Sequence, residues 1–484
     1  MALTVDSFLA PAALASPHRV AATLGDASTT FGELQEQTFR LANALLGLGV
    51  GHGDRVAHWA DLSLDVPPTT FAISRIGAVY APLNPAYTDD EARALLAYLD
   101  PRLLVVDDAH REAGTTLARE LGIPVVAQAE LAVGASAAAP SVRPPAEHDL
   151  ATIFATSGST GRPKGVMVSH RATWMRSFAG AGTDAACGGR GEVVMFPLFH
   201  MAGWCFAFTA WSAHKPVHFV TRADGDAVMD AVVRHHAGAL YCIPAVWRRV
   251  LDSGLPGGDD LEWAKVGTSF SSPDLVAEIR ERFPRARMTV SYGSTETGGA
   301  LRLGDDDVEA RPGAVGLPVP GMLAKTDAEG ELMLAGDTLM SGYYAMPEET
   351  AAVLEDGWFR TGDLVEQDAD GFYTVVGRRK EMIRTGGEWV APSEVEDALR
   401  GIPGIADLAI VGIPDESWGE IVCAVVVPAP GADAPSADDL RRHLSGRLAP
   451  FKHPRRVVAV DLIPRTSATG QVQRSVLVRQ EGAR

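Results

Sequence analysis

A chain of 484 residues, 46% hydrophobic and 21% charged, has the composition of a globular protein and enough length for more than one core. Its formal charge of −18 excludes a nucleic-acid partner held by a basic face, so any anionic ligand must be met by a local cluster of cations. No stretch is long and apolar enough to predict a membrane span, the N-terminus lacks a basic leader region, and the four cysteines fit neither a metal site nor a disulfide scaffold; a cytoplasmic protein is expected.

Phe31 to Leu48 has the period of an amphipathic helix, Arg55 to His58 reads as a strand, Asp89 to Tyr98 as a helix and Leu103 to Val106 as a buried strand. Such alternation predicts a mostly parallel sheet covered by helices. Ala129 to Glu147, rich in Ala, Pro and Ser, reads as an exposed connection. Leu150 to Ala155 is a short buried strand, and Thr156-Ser-Gly-Ser-Thr-Gly-Arg-Pro-Lys-Gly165 leads from it into a further strand, Val166 to Val168. A second α/β stretch runs from Glu192 to Val290, with strands at Val217 to Val220 and Ala239 to Ile243. Turns punctuate Gly313 to Gly321, and Gly330 to Gly342 reads as β-hairpin material. After the charge run Arg378-Arg-Lys-Glu381 comes a separate pattern: helix Pro392 to Arg400, strands Ile405 to Gly412 and Ile421 to Val427, helix Ala437 to Leu448. A boundary between Arg379 and Lys380 gives domains 1–379 and 380–484.

Four segments carry chemistry. In the first, Gly158, Gly161 and Gly165 permit backbone conformations that other residues resist, so N–H groups can converge on an anion while Ser157, Ser159 and Thr160 add donors and Lys164 adds charge. The spacing is not that of a P-loop, and a Ser/Gly linker is disfavoured by the Pro163-Lys-Gly that precedes an apolar strand. In the second, Ser291-Tyr-Gly-Ser-Thr-Glu296-Thr-Gly-Gly299 places an aromatic, hydroxyls and one acid beyond the strand Met288 to Val290, where open α/β sheets bind ligands. The third, Trp358-Phe-Arg-Thr-Gly-Asp363-Leu, offers an acid after a glycine turn, suited to a diol or simply to the turn itself. The fourth, Phe196-Pro-Leu-Phe-His200-Met-Ala-Gly203-Trp204, opens an aromatic-rich run in which His200 is either a ligand or a structural histidine.

In this order the segments resemble the adenylate-forming superfamily of acyl- and aryl-CoA synthetases, amino-acid adenylation domains and beetle luciferases. The resemblance implies an α/β protein: a large N-terminal domain of mixed and parallel sheets covered by helices, with a β-barrel-like subdomain, and a small mobile α+β C-terminal domain. It implies that Thr156, Ser157, Gly158, Ser159, Thr160, Gly161 and Lys164 wrap the phosphates of ATP. Tyr292 would stack on adenine beside Gly293, Thr295 would contact the α-phosphate, and Glu296 with Thr160 would hold Mg²⁺. Asp363 and Arg378 would bind ribose, and Lys380 would be the hinge. His200, Gly203, Trp204 and Phe270 would bound the acyl pocket, and Gly387, in Gly386-Gly-Glu-Trp389, would sit by the pantetheine tunnel of coenzyme A. Arg378, Arg379, Lys380 and Arg384, with Arg441, Arg442, Lys452, Arg455 and Arg456, are either the field that CoA requires or a solvated face.

Two departures stand out. The superfamily's C-terminal Pro-Arg-Thr-x-x-Gly-Lys, whose lysine bridges carboxylate and phosphate, is here Pro464-Arg-Thr-Ser-Ala-Thr-Gly470-Gln471. Glutamine carries no charge, which predicts slow adenylation with a less affected thioester step, and Arg465 and Arg474 are the weaker substitutes in sequence. Gly267 to Pro273 also departs from the usual loop flanking adenine and the pocket floor. Lack of an aspartate beyond His200 argues against an amino acid, and lack of a cation between His200 and Trp211 against a dicarboxylate. An apolar acid is left, and Gly386-Gly-Glu-Trp389 resembles medium- and long-chain fatty acyl-CoA synthetases. The expected partners are therefore a small carboxylic acid, ATP and CoA, with a homodimer left open. Transfer to a carrier-protein thiol or another nucleophile, and an adenylation-impaired nucleotide binder, are the alternatives.

Overall fold

Two helices near the N-terminus start where the sequence supplies a Thr-x-x-Glu box. The Thr30 hydroxyl accepts from the Glu33 N–H while the Glu33 carboxylate accepts from the Thr30 N–H, which opens helix Phe31–Gly47; Thr88 and Glu91 open helix Asp89–Leu99 in the same way. Phe31, Leu34, Leu41, Ala42 and Leu45 form the buried stripe of the first helix. These elements belong to a computed structural model that describes residues 2–157, 163–184, 190–267, 271–415, 417–465 and 472–482. Gly158, Ser159, Thr160, Gly161, Phe270 and Gln471, all expected at the site, lie outside the described residues, as does Cys187.

The chain forms two compact units. The first comprises Met1–Arg311, Gly316–Leu323 and Leu334–Phe359; the second comprises Pro312–Val315, Ala324–Met333 and Arg360–Arg484. Arg360 to Arg379, which the sequence placed with the large domain, thus folds with the second unit.

In the first unit one sheet runs in the order Gly342–Tyr343, Pro163–Ser169, Leu150–Ser157, Val79–Pro82, Arg55–Trp59, Leu103–Val106, Val125–Ala127. From Leu150–Ser157 onward its neighbours are parallel, as the alternation of helices and strands predicts; the first two strands are antiparallel. Val105 and Tyr80 point into a core shared with Phe154, Trp204 and Phe208. The other sheet has parallel neighbours Arg287–Ser294, Trp263–Gly267, Ala239–Cys242, Glu192–Val194, Val217–Phe219 and Val20–Leu24, with antiparallel Gly298–Leu303 and Ala27–Thr30 at either side of that run.

Of the expected hairpin material between Gly330 and Gly342, Glu331–Gly336 is a strand beside Met322–Thr326, whereas Gly342, itself held at φ +128°, and Tyr343 pair with Met167 and Val166. That pairing places Tyr343 at the edge of the sheet that contains Leu150–Ser157 and Pro163–Ser169.

In the second unit Asp363–Gln367 pairs with Tyr373–Arg378. A sheet ordered Glu388–Val390, Ile383–Thr385, Gly419–Pro428, Ile405–Asp415, with Arg456–Ala459 parallel to Gly419–Pro428, follows. Ile410, Val422 and Ala424 pack with Val395 and Leu440 of helices Pro392–Ala398 and Ala437–Leu444, whereas Ala409, Val411 and Val425 pack with Leu477 of helix Arg474–Gly482. The sheet is therefore covered on both faces. Among the described residues no helix is long and apolar enough to cross a membrane.

Candidate active site

The segment expected to wrap phosphate connects an antiparallel pair. Thr156 lies opposite Lys164 and Ser157 opposite Pro163, so the strands continue to the residues on either side of 158–162. The Thr156 hydroxyl donates to the Lys164 carbonyl at 3.3 Å. Gly165 is fixed by Tyr98, whose hydroxyl accepts from the Gly165 N–H at 3.2 Å and donates to the Tyr344 carbonyl; the Tyr344 N–H returns to the Gly165 carbonyl at 2.8 Å. These bonds aim Lys164, whose Nζ stands 4.6 Å from the centre of the Tyr343 ring.

Tyr343 is the link between two of the sequence segments. Its ring is beneath Lys164 and its hydroxyl donates to Glu296 Oε1 at 3.0 Å. Burial, followed by the Glu296 carboxylate, raises the Tyr343 pKa well above the usual phenol value, so the hydroxyl keeps the proton that it donates.

The Glu296 turn is clamped from behind. The Glu296 carbonyl accepts from the Met340 N–H at 2.7 Å and from Arg176 Nη2 at 3.1 Å, and Arg176 Nε donates to the Thr338 carbonyl at 2.7 Å. Arg176 is buried, and its Nη1 has no partner among the described residues. A Cβ on Gly293 would meet the Gly298 carbonyl at 2.0 Å, so only glycine lets the two strands of this turn approach so closely. Tyr292 and Thr295 are half-buried on the same segment. Glu296 keeps one carboxylate oxygen beyond the bond with Tyr343, a donor set that fits Mg²⁺ completed by phosphate oxygens.

His200 caps helix Met201–Ser212. Its Nδ1 accepts from the Ala202 N–H at 3.2 Å, which places the proton of the neutral ring on Nε2, and its ring stacks on Phe196 with centroids 5.3 Å apart. Burial lowers its pKa to about 4, so near pH 7 it is a neutral donor. Its expected neighbours in the pocket prove different. A Cβ on Gly203 would meet the Pro197 carbonyl at 2.3 Å, which makes this glycine a requirement of close helix–loop packing. Trp204 is fully buried, stacked on Tyr80 and edge-on to Phe154, and is here a core residue.

In the second unit Asp363 lies opposite Arg378, with Arg378 Nε 2.7 Å from Asp363 Oδ1; the Asp363 side chain is only 4% exposed. The Thr361 hydroxyl accepts from the Asp363 N–H at 3.1 Å. Lys380 is exposed in the following turn, and Gly387 sits at φ +91° between paired Thr385 and Glu388. The two weaker substitutes for the missing lysine are engaged, Arg465 with Asp407 and Arg474 with Glu381 and Glu396, and Lys452, the lysine that follows the expected hinge, pairs with Glu394.

Sequence reasoning missed Tyr343 and Arg176. Gly342-Tyr-Tyr344 was the only signal for the first, and a single arginine on a helix gave none for the second.

Residues 9–344 match the AMP-binding enzyme family, and residues 394–469 match the AMP-binding enzyme C-terminal domain. The chain is similar to a feruloyl-CoA synthase of Amycolatopsis sp, at 33% identity over 96% of this chain and 97% of that protein. It is also similar to an indoleacetate–CoA ligase of Aromatoleum aromaticum, at 34% identity over 97% and 96% of the two chains. Its structure resembles ATP-bound MatB from Rhodopseudomonas palustris, with a TM-score of 0.91 and 30% identity over 100% of this chain and 99% of the other.

Proposed function

Because the chain belongs to the AMP-binding enzyme family of AMP-forming acid–thiol ligases, we propose that it activates a largely apolar carboxylic acid with ATP and passes the acyl group to coenzyme A. The reading is supported above all by one chain of contacts, Lys164 over Tyr343 and Tyr343 on Glu296, which ties the phosphate loop to the acidic turn beyond Arg287–Ser294. The relatives named for feruloyl and indoleacetate substrates favour an aryl acid, and the hinge-side Gly386-Gly-Glu-Trp389 a fatty one.

In the proposed reaction a carboxylate oxygen attacks the α-phosphorus, the bond from that phosphorus to the bridging oxygen breaks, and pyrophosphate leaves. CoA sulfur then attacks the acyl carbon, and AMP leaves with the electron pair of the carbon–oxygen bond. Neither step needs a covalent enzyme intermediate, so catalysis is positioning and charge stabilisation. Lys164 faces the phosphates, Thr295 donates to the α-phosphate, and His200 Nε2–H holds the carboxylate in line. Asp363, paired with Arg378, is the residue that the resemblance assigns to the ribose hydroxyls. Bound at Glu296, Mg²⁺ supplies charge neutralisation for the phosphate oxygens.

The departure at Gln471 makes adenylation the slower half-reaction, since Lys452, Arg465 and Arg474 are each held by carboxylates. ATP–pyrophosphate exchange across a panel of carboxylic acids, followed by CoA thioester formation, tests the proposal. Exchange that no acid stimulates would refute it, and exchange without CoA thioester would reassign the acceptor.

A further inference from the structure

We infer that the turn Val5–Phe8 positions the candidate site from behind: through Trp174 it fixes the helix that carries Arg176, and with that helix the Glu296 turn. What the Glu296 turn is positioned for rests on the carboxylate-activation reading above.

Val5 and Phe8 are buried, as are Thr4 and Ser7, and the turn docks on three helices. Asp6 pairs with Arg75 of helix Val66–Arg75, its two carboxylate oxygens 2.7 Å and 2.6 Å from Arg75 Nη1. The Val5 N–H donates to His170 Nδ1 at 3.1 Å, and Trp174 Nε1 donates to the Thr4 carbonyl at 2.7 Å and to Ser7 Oγ at 2.9 Å; both rings belong to helix His170–Asp184. The Phe8 ring touches two helices at once. It stacks on Trp174 with centroids 4.1 Å apart, and it meets Phe208, on the helix that His200 caps, at 4.9 Å.

Holding the segment in place would need only the Asp6–Arg75 pair. The contacts with Trp174 and Phe208 add the two helices that bear on the site, Arg176 on one and His200 at the head of the other. Trp174 and Arg176 are two residues apart, which on an α-helix is about 200° of rotation and about 3 Å of rise. They therefore stand on opposite faces at nearly one level, Trp174 against the turn and Arg176 against the Glu296 segment. A shift of the helix at Trp174 passes straight to the arginine.

That arginine has no slack. A Cβ on Gly298 would meet Arg176 Cγ at 2.6 Å and Cδ at 2.8 Å, while the guanidinium holds the carbonyls of Thr338 and Glu296. Because the stem lies on Gly298, the side chain cannot re-extend to follow a displaced helix, and the acidic turn must move with it. A misplacement of about 1 Å that starts far from the chemistry is enough to cost about 10²-fold in rate. Trp174 is thus a positioning residue that acts through Arg176.

The test compares full-length parent protein with three variants. Trp174→Phe keeps a ring on Phe8 and deletes both hydrogen bonds, and Phe8→Leu narrows the spacer between the helices. Thr30→Ala uncaps helix Phe31–Gly47, which carries none of the candidate site, and so lowers stability elsewhere. Hydrogen–deuterium exchange is read over residues 291–300 and 336–342, where the Met340 N–H donates to the Glu296 carbonyl. It is expected to rise by about three- to tenfold in Trp174→Phe and Phe8→Leu and to hold in Thr30→Ala. The Mg²⁺ concentration giving half-maximal ATP–pyrophosphate exchange, with the acid that stimulates the parent most, should rise by about threefold or more in the same two variants only. Unchanged deuterium uptake in both, an unchanged magnesium midpoint, or a midpoint that moves equally in Thr30→Ala would overturn the inference. A parent without acid-stimulated exchange would refute the proposed reaction instead, and deuterium uptake alone then decides whether the turn holds Glu296.

Discussion

Replacing Tyr343 by phenylalanine deletes one oxygen and little else. The ring that Lys164 faces at 4.6 Å stays, as does the backbone pairing of Tyr343 with Val166, while the 3.0 Å bond to Glu296 Oε1 is lost. A hydrogen bond to an ionised acceptor contributes about 1.5–3 kcal/mol, which corresponds to roughly 10- to 150-fold in a rate or binding constant. If Glu296 holds magnesium against the phosphates, this loss falls on the orientation of its carboxylate. The Mg²⁺ concentration giving half-maximal ATP–pyrophosphate exchange should then rise by about tenfold or more. Thermal stability should change little, because the phenylalanine ring fills the same space. The assay is exchange measured across a magnesium titration, with Tyr343→Ala as a contrast that also removes the ring and destabilises the fold. An unchanged magnesium midpoint and exchange rate in Tyr343→Phe would show that the contact between the two loops carries no catalytic weight.

Gln471→Lys should raise the exchange rate, by up to about 10²–10³-fold if it restores one cation at the developing charge, with a smaller effect on thioester formation from supplied acyl-AMP; no change in exchange would remove the position from the chemistry. Asp363→Asn should raise the KM for ATP by about tenfold with a smaller change in kcat, and because Arg378 is half exposed the melting temperature should hold; an unaltered KM would refute ribose binding there. Stability should also fall on mild acidification. Burial lowers the pKa of His58, His170 and His200 to about 4 and of His218 to about 3. Above pH 6.5 these rings are neutral in both states and cost nothing. Between pH 6.5 and about 4 the unfolded chain binds protons that the folded one refuses, at up to about 1.4 kcal/mol per pH unit for each ring. Urea midpoints that stay level from pH 7 to 5 would contradict the burial of these four side chains.

The parts of the candidate site that were legible in the sequence are those in which contiguous residues suit the proposed chemistry. Thr156 to Gly165 and Ser291 to Gly299 announce themselves because glycine, hydroxyl and charge recur within ten positions, and the Asp363 turn gains its meaning from their company. What was not legible depends on residues far apart in the chain. Tyr343 meets Glu296 across 47 positions, and Arg176 reaches Glu296 across 120. No local pattern marks such partners. Aromatic density misleads for a related reason: Trp204 and Phe206 stand two residues apart on one helix, yet the first is sealed against Tyr80 and Phe154 while the second lies over Tyr241 and Lys265. Composition reports that both are apolar, and only the helix's rotation against the sheets separates the two. The hairpin material from Gly330 to Gly342 is a similar case, since Glu331–Gly336 and Gly342–Tyr343 look alike in sequence although they join different sheets.

The charge of the chain gives this arrangement its logic. An acidic protein repels a nucleotide triphosphate, so the cations meant for phosphate must not be spent on local carboxylates. On the second unit Lys452, Arg465 and Arg474 are each held by one or two acids. In the first unit, by contrast, Lys164 faces an aromatic ring and Arg176 bonds backbone carbonyls, and neither makes an ion pair among the described residues. Tyr343 reconciles the two demands. Its ring gives the Lys164 ammonium a partner that leaves the positive charge intact, and its hydroxyl steadies Glu296 without adding a cation that would neutralise it. In the proposed reaction a lysine and a glutamate on either side of one tyrosine would serve a magnesium–phosphate ligand, the first at the phosphate oxygens and the second at the metal.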